Sequence, residues 1–191
     1  MFSKCCFKSK IDNEIINDIS VNGNLINDLV YDLSLRSYDE YKFNNILNKL
    51  VCFTNSEFGY ILRYNSETGE LDELAVTNIS WDDTSRQQYI NCITKRNNLF
   101  TNKCSAYFDS IKYKAPMIYN KFDEIRKCSY SADHPPIHSF MSIPVLDDDF
   151  NTIGSIGFAN RHNGYTEDII LSLQPIINYL KKIFMETDWK Q

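Results

Sequence analysis

HPPIHSFMSIPVLDDDFNTIGSIGFANRHNGY, running from His134 to Tyr165, is the stretch that decides how this chain folds. Pro135 and Pro136 remove two backbone donors and bar a helix between His134 and His138, so the entry to this stretch is a stiffened loop. Ser139 to Leu146 and Thr152 to Asn160 are two apolar runs joined by DDDFN, a turn-forming composition, and together they predict a β-hairpin. Beyond it Thr166 is placed to cap a helix, with Glu167 and Asp168 in the positively charged first turn. That helix is expected from Glu167 to about Thr187, with a kink at Pro175, where a missing N–H and a ring clash cost about 3 kcal/mol in a regular helix.

Working outward, Ile170, Leu173, Ile177, Leu180 and Phe184 recur at steps of three and four, with Ile169, Ile176 and Ile183 in a neighbouring row. A stripe that wide is built to cover a sheet. Phe43, Ile46, Leu47, Leu50 and Val51 give Tyr41 to Asn55 a similar apolar face. Gly59 to Tyr64 and Leu71 to Val76 read as strands around the NSETG turn, and Pro116 to Asn120 as a short strand. Trp81 to Lys95 carries weak helical periodicity, and Leu99 to Tyr113 suits a short helix packed near a pocket. Residues 1–38 form a polar, Asn-rich extension with one periodic segment at Leu25, Leu29, Val30 and Leu33; residues 39–187 form the domain and 188–191 a tail. The order helix, hairpin, irregular middle, three strands, helix predicts an α+β domain on an antiparallel sheet of five or six strands.

Composition narrows the function. With 191 residues the chain supports its own core without metal or disulfide staples. Its net charge of −5, with both signs interspersed, gives no field to hold a phosphate backbone, so nucleic acid is not an expected partner. No apolar run reaches the roughly 18 residues of a membrane span, and MFSKCCFKSK lacks a secretory apolar stretch, so a cytoplasmic location is expected. Cys5, Cys6, Cys52, Cys92, Cys104 and Cys128 are irregularly spaced and read as free thiols. Cys5 and Cys6, flanked by Lys4, Lys8 and Lys10, carry the alternative of paired S-acylation and peripheral membrane attachment.

The residues His134, Pro135, Pro136, Ile143, Pro144, Ile153, Gly154, Gly157, Ala159, Asn160, Arg161 and Tyr165, in that order and spacing, resemble the C-terminal half of a GAF domain of the HPP type. The likeness covers roughly Tyr41 to Met185. It implies terminal helices on one face of the sheet and a loop-covered small-molecule pocket on the other. Dimerisation through the terminal helices is a further implication. The contiguous NKFDE at Asn120 to Glu124 copies the letters of a dispersed cyclic-nucleotide motif, whose counterpart here is Asn160, Arg161, Tyr165 and Asp168. Arg161 and Tyr165 replace that motif's Lys and Phe, and Ile169 its Glu, leaving room for an Arg161 to Asp168 ion pair. Asp133 before His134 leaves no Cys-His pair for a bilin, and no Cys-x-x-Cys-His for haem is present; no cofactor is expected.

The implied pocket has candidate wall residues Phe108, Arg126, His134, Phe140, Ser142 and Asn160, combining aromatic walls with a few polar groups. Phe108 and Phe140 would line it, Arg126 and His134 would meet an anionic or carbonyl group, and Ser142 and Asn160 would donate or accept. Asn160 as a strand-end anchor and Phe140 as core filling are the alternatives. Such a chain would be a stand-alone, non-catalytic signalling domain acting through a homodimer or a protein partner. A rival on the same fold is a thiol-dependent free methionine-(R)-sulfoxide reductase using Cys104 and Cys128. A ligand-free scaffold is the third reading. His134, His138 and Cys128 do not share a helix face as zinc ligands would, and Asp147, Asp149 and Asn151 lack the glycine and distal glutamate of a calcium loop.

Overall fold

The computed structural model describes residues 26–29, 31, 40–77, 106–121 and 136–186. Helix α1 spans Glu40–Phe53, strands β1 and β2 Phe58–Tyr64 and Leu71–Val76, and helix α2 Ala106–Tyr113; strands β3, β4 and β5 are Met117–Tyr119, Phe140–Leu146 and Thr152–Ala159, and helix α3 is Glu167–Glu186. The strands form one sheet in the order β2-β1-β5-β4-β3, antiparallel at every pairing. The expected hairpin is β4 and β5, with Ser142 opposite Gly157 and Ile143 opposite Ile156. Its turn is closed by Asp147, whose Oδ1 accepts the N–H groups of Asp149 and Asn151 at 3.0 and 2.7 Å. The bond from the Asn151 backbone, ahead of the others, holds the Asp147 carboxyl below its ordinary range.

Side chains alternate across a strand, so each strand serves both faces. Ile61, Met141, Ile143, Val145, Ile156 and Phe158 point one way and are buried with Phe43, Ile46, Leu47 and Leu50 of α1 and with Leu173, Ile176, Leu180 and Phe184 of α3. Tyr60, Leu62, Phe140 and Ala159 point the other way and pack with Leu71, Ala106, Ile111 and Ile137. The two long helices thus share one face, as expected, and α2 lies on the other. Ile26 and Leu29, within the polar extension, are buried in the α1–α3 cluster.

Helix α3 runs through Pro175, which is exposed. Thr166 precedes it, but the first-turn bond comes from the Ile169 N–H to the Thr166 backbone carbonyl at 3.2 Å, and among the described residues its hydroxyl makes no capping bond. A Cβ on Gly154 would stand 2.3 Å from the Phe184 ring and 2.6 Å from the Leu62 carbonyl oxygen, so α3 seats an aromatic ring directly on β5. No described helix is long and apolar enough to cross a membrane. The helical reading of Trp81 to Lys95 lies outside the described residues.

Candidate functional site

The face that carries α2 has a polar centre. Tyr60 of β1 stands opposite Gly157 of β5. Because Gly157 has no Cβ, the Tyr60 ring lies across β5 and brings its hydroxyl to β4, 2.8 Å from Ser142 Oγ and 3.4 Å from Ser155 Oγ. Ser142 and Ser155 are 3.1 Å apart. Ser110 descends from α2 to lie 2.5 Å from Ser142 and 3.2 Å from Ser155. All four side chains are buried.

A hydroxyl has one proton to give and two lone pairs to accept with. Three bonds around the serine triangle and one from Tyr60 satisfy every donor in the group. Burial pushes the Tyr60 phenol well above its ordinary value near 10, against the opposing pull of its bonds to Ser142 and Ser155, so it stays protonated. Rings surround this floor: Tyr60 meets Tyr107 edge-on at 6.5 Å and Phe140 at 6.3 Å, Phe140 stacks on Tyr119 at 6.5 Å, and Tyr64 meets Phe108 edge-on at 6.0 Å. Tyr119 donates to Asp109 Oδ2 at 2.7 Å, and Thr152 Oγ1 to the Ile111 carbonyl at 3.1 Å, tying α2 to β3 and β5.

Of the expected wall residues, Ser142 lies in this floor, Phe140 beside it and Phe108 on α2. Asn160 sits just past the end of β5 with φ 60°, and its amide straps a loop. Its Oδ1 accepts the His138 N–H at 2.9 Å, while its Nδ2 donates to the Pro136 carbonyl at 2.9 Å and to Glu57 Oε2 at 2.8 Å. Arg126 and His134 lie outside the described residues, as do Cys104 and Cys128. The one free cysteine among the described residues, Cys52, is exposed on α1, whose buried side covers the opposite face of the sheet.

The remaining motif positions are structural. Arg161 Nη1 donates to the Gly164 carbonyl at 2.7 Å instead of pairing with Asp168. Asn120, first letter of the contiguous NKFDE, brackets Tyr165: the Tyr165 N–H donates to its Oδ1 at 2.7 Å and its Nδ2 donates to the Tyr165 carbonyl at 3.0 Å. The Tyr165 hydroxyl is 2.8 Å from Ser56 Oγ, and burial raises that phenol also. Sequence reasoning missed Tyr60, Ser110 and Ser155; the available signal was a large residue in β1 set against a glycine in β5.

Residues 43–183 match the family profile of the GAF domain. Among solved structures, the GAF domain from a phosphoenolpyruvate-protein phosphotransferase of Coxiella burnetii superposes with a TM-score of 0.67 at 8% identity, over 87% of this chain and 93% of that one. The GAF domain from the Acinetobacter phosphoenolpyruvate-protein phosphotransferase gives 0.65 at 10% identity, over 86% and 93%. Free methionine-R-sulfoxide reductase from Neisseria meningitidis, in complex with its substrate, gives 0.62 at 12% identity, over 95% of each chain. No curated protein matches the chain. At such identities the likeness is one of fold, and that fold carries GAF domains and an enzyme alike.

Proposed function

The chain belongs to the GAF domain family, and on that footing we propose that it is a non-catalytic signalling domain binding a small molecule on the sheet face beneath α2. The floor of that face carries the reading: the hydroxyls of Tyr60, Ser110, Ser142 and Ser155 gathered among aromatic rings. Apolar walls with a few convergent polar groups are what a ligand cavity needs. The same floor is poorly suited to chemistry. A serine attacks only when a neighbouring base takes its proton, and each serine here has hydroxyls as its side-chain partners.

In this reading Phe108 and Phe140 line the site, Ser142 meets an uncharged hydrogen-bonding group, Arg126 and His134 meet an anionic or carbonyl group, and Asn160 holds the loop at its rim. The signal leaves through a second copy of the chain or a protein partner on the terminal helices, where Leu171 and Met185 of α3 are exposed. Molar mass that stays monomeric across dilution would remove the homodimer. The reading places the protein in the cytoplasm with an untethered N-terminal tail; acylation of Cys5 and Cys6, bringing it to a membrane surface, is the alternative.

Native mass spectrometry of protein taken directly from cells tests the proposal. A small molecule retained by the wild type and lost from Ser142→Leu is expected. The Neisseria enzyme shares the fold over 95% of this chain, and the competing reading on that fold is a thiol-dependent reductase using Cys104 and Cys128. Turnover of methionine sulfoxide with a reductant, abolished by Cys128→Ser, would replace the sensor reading with that one.

A further inference from the structure

The β4–β5 loop is Asp148, Asp149 and Phe150, closed by the Asp147 N–H to the Asn151 carbonyl at 2.9 Å and the Phe150 N–H to the Asp147 carbonyl at 3.4 Å. Such a loop ends on a residue in the left-handed conformation, a position that calls for glycine. Phe150 holds it, with φ 59°. A bulky side chain there strains the backbone, and the ring is not sheltered in return, being 72% exposed. Among the described residues no ring contact holds it. Phe150 thus departs from what its own turn requires, and its benefit lies outside the domain.

A second exposed aromatic stands at the same end of the molecule. Thr152, two residues after Phe150, donates to the carbonyl of Ile111, two residues before Tyr113, so the hairpin tip and the C-terminal end of α2 are neighbours. Tyr113 is 58% exposed. The two rings have opposite charges beside them: Asp149 precedes Phe150, while Lys112 and Lys114 flank Tyr113. All three charged side chains are exposed, and among the described residues none of them has an ion pair. A surface that carries an aromatic with a carboxylate next to an aromatic with ammonium groups is complementary to itself. A two-fold axis sets each half against the other half of a second copy.

We infer that this end of the domain is a self-association surface, on which Asp149 and Phe150 of one protomer meet Lys112, Tyr113 and Lys114 of a second copy, and reciprocally. The contact takes exposed rings out of water and sets unlike charges together. It is distinct from pairing through the exposed Leu171 of α3. That residue lies ten positions before Lys181, which holds Asp148 at 2.6 Å, and so about 15 Å from the hairpin tip along the helix.

Sedimentation velocity of the full chain from about 5 to about 500 μM tests this, with a monomer–dimer equilibrium expected in that range. Phe150→Asn, a residue that accepts the left-handed backbone, is expected to weaken association at least about tenfold and to raise the urea midpoint of unfolding. Asp149→Lys and the double variant Lys112→Glu, Lys114→Glu should each associate poorly alone and recover when mixed, because mixing restores unlike charges on both halves of the two-fold. Leu171→Gln should change nothing. A chain that stays monomeric throughout, charge variants that do not recover on mixing, or association abolished by Leu171→Gln and untouched by Phe150→Asn would overturn the inference. A lower urea midpoint for Phe150→Asn would also overturn it, since the ring would then serve its own domain.

Discussion

Tyr60 rests on Gly157: a Cβ at that glycine would stand 2.3 Å from the phenol ring, and the two residues are paired directly across β1 and β5. Through this contact a β1 side chain reaches over β5 to bond a β4 serine, so three strands contribute to one polar floor. The glycine is required by its neighbour, not by its own backbone.

Gly157→Ala is accordingly expected to cost about 1–3 kcal/mol of stability in urea unfolding, because the added methyl overpacks a buried ring. Combining it with Tyr60→Leu should recover at least about 0.5 kcal/mol relative to the sum of the single changes. Strict additivity would show that Tyr60 does not lean on Gly157.

Gly154→Ala meets an obstacle that no side-chain change removes, since its methyl would approach the Leu62 carbonyl oxygen to 2.6 Å as well as the Phe184 ring. A loss of about 3 kcal/mol is expected, little relieved by Phe184→Leu. Full rescue by that second change would place the clash on the ring alone.

The buried phenols of Tyr60 and Tyr165 set a dependence on alkaline pH. Both are raised in the folded protein above their ordinary value near 10, so the folded state keeps protons that the unfolded chain gives up. Their contribution is intact below about pH 10 and is lost as pH climbs above it, at about 1.4 kcal/mol per pH unit for each phenol. Between pH 9 and 11 Tyr60→Phe should lose about 1.4 kcal/mol less stability than the wild type; an equal loss would mean Tyr60 ionises freely.

Asn160→Asp keeps the acceptor for the His138 N–H but replaces the donor that joins Glu57 and the Pro136 carbonyl with a second carboxylate. A loss of about 1–2 kcal/mol at neutral pH is expected. A loss no larger than that of an Asn→Asp change at an unbonded surface position would show that these bonds do not hold the loop.

How much of this was readable in advance follows from where the information sits. The β4–β5 hairpin is written locally, in two apolar runs around DDDFN, and its alternation already assigns Phe140 and Ser142 to one face. Tyr60 and Ser155 share that face only because β1 pairs with β5, a contact between strands some ninety residues apart that neither strand announces. Ser110 depends on the rotational phase of an eight-residue helix, which a few residues of weak periodicity do not fix. Asn160 shows the converse case. Its residue type stands out in the sequence, but two of its three side-chain bonds exist only once the loop at residues 136–138 folds back on the strand end, and the third needs Glu57 brought up ahead of β1. Arg161 likewise has a suitable neighbour along the chain and takes the Gly164 carbonyl in place of Asp168, and the Thr166 hydroxyl makes no capping bond among the described residues.

The claim that this face of the sheet receives a small molecule is met most directly by a two-dimensional amide spectrum of isotope-labelled protein, recorded before and after addition of a low-molecular-weight cell extract. The account predicts shifted resonances concentrated at Ser110, Phe140, Ser142 and Ser155. Shifts confined to α1 and α3, or a spectrum untouched by the extract, would contradict it.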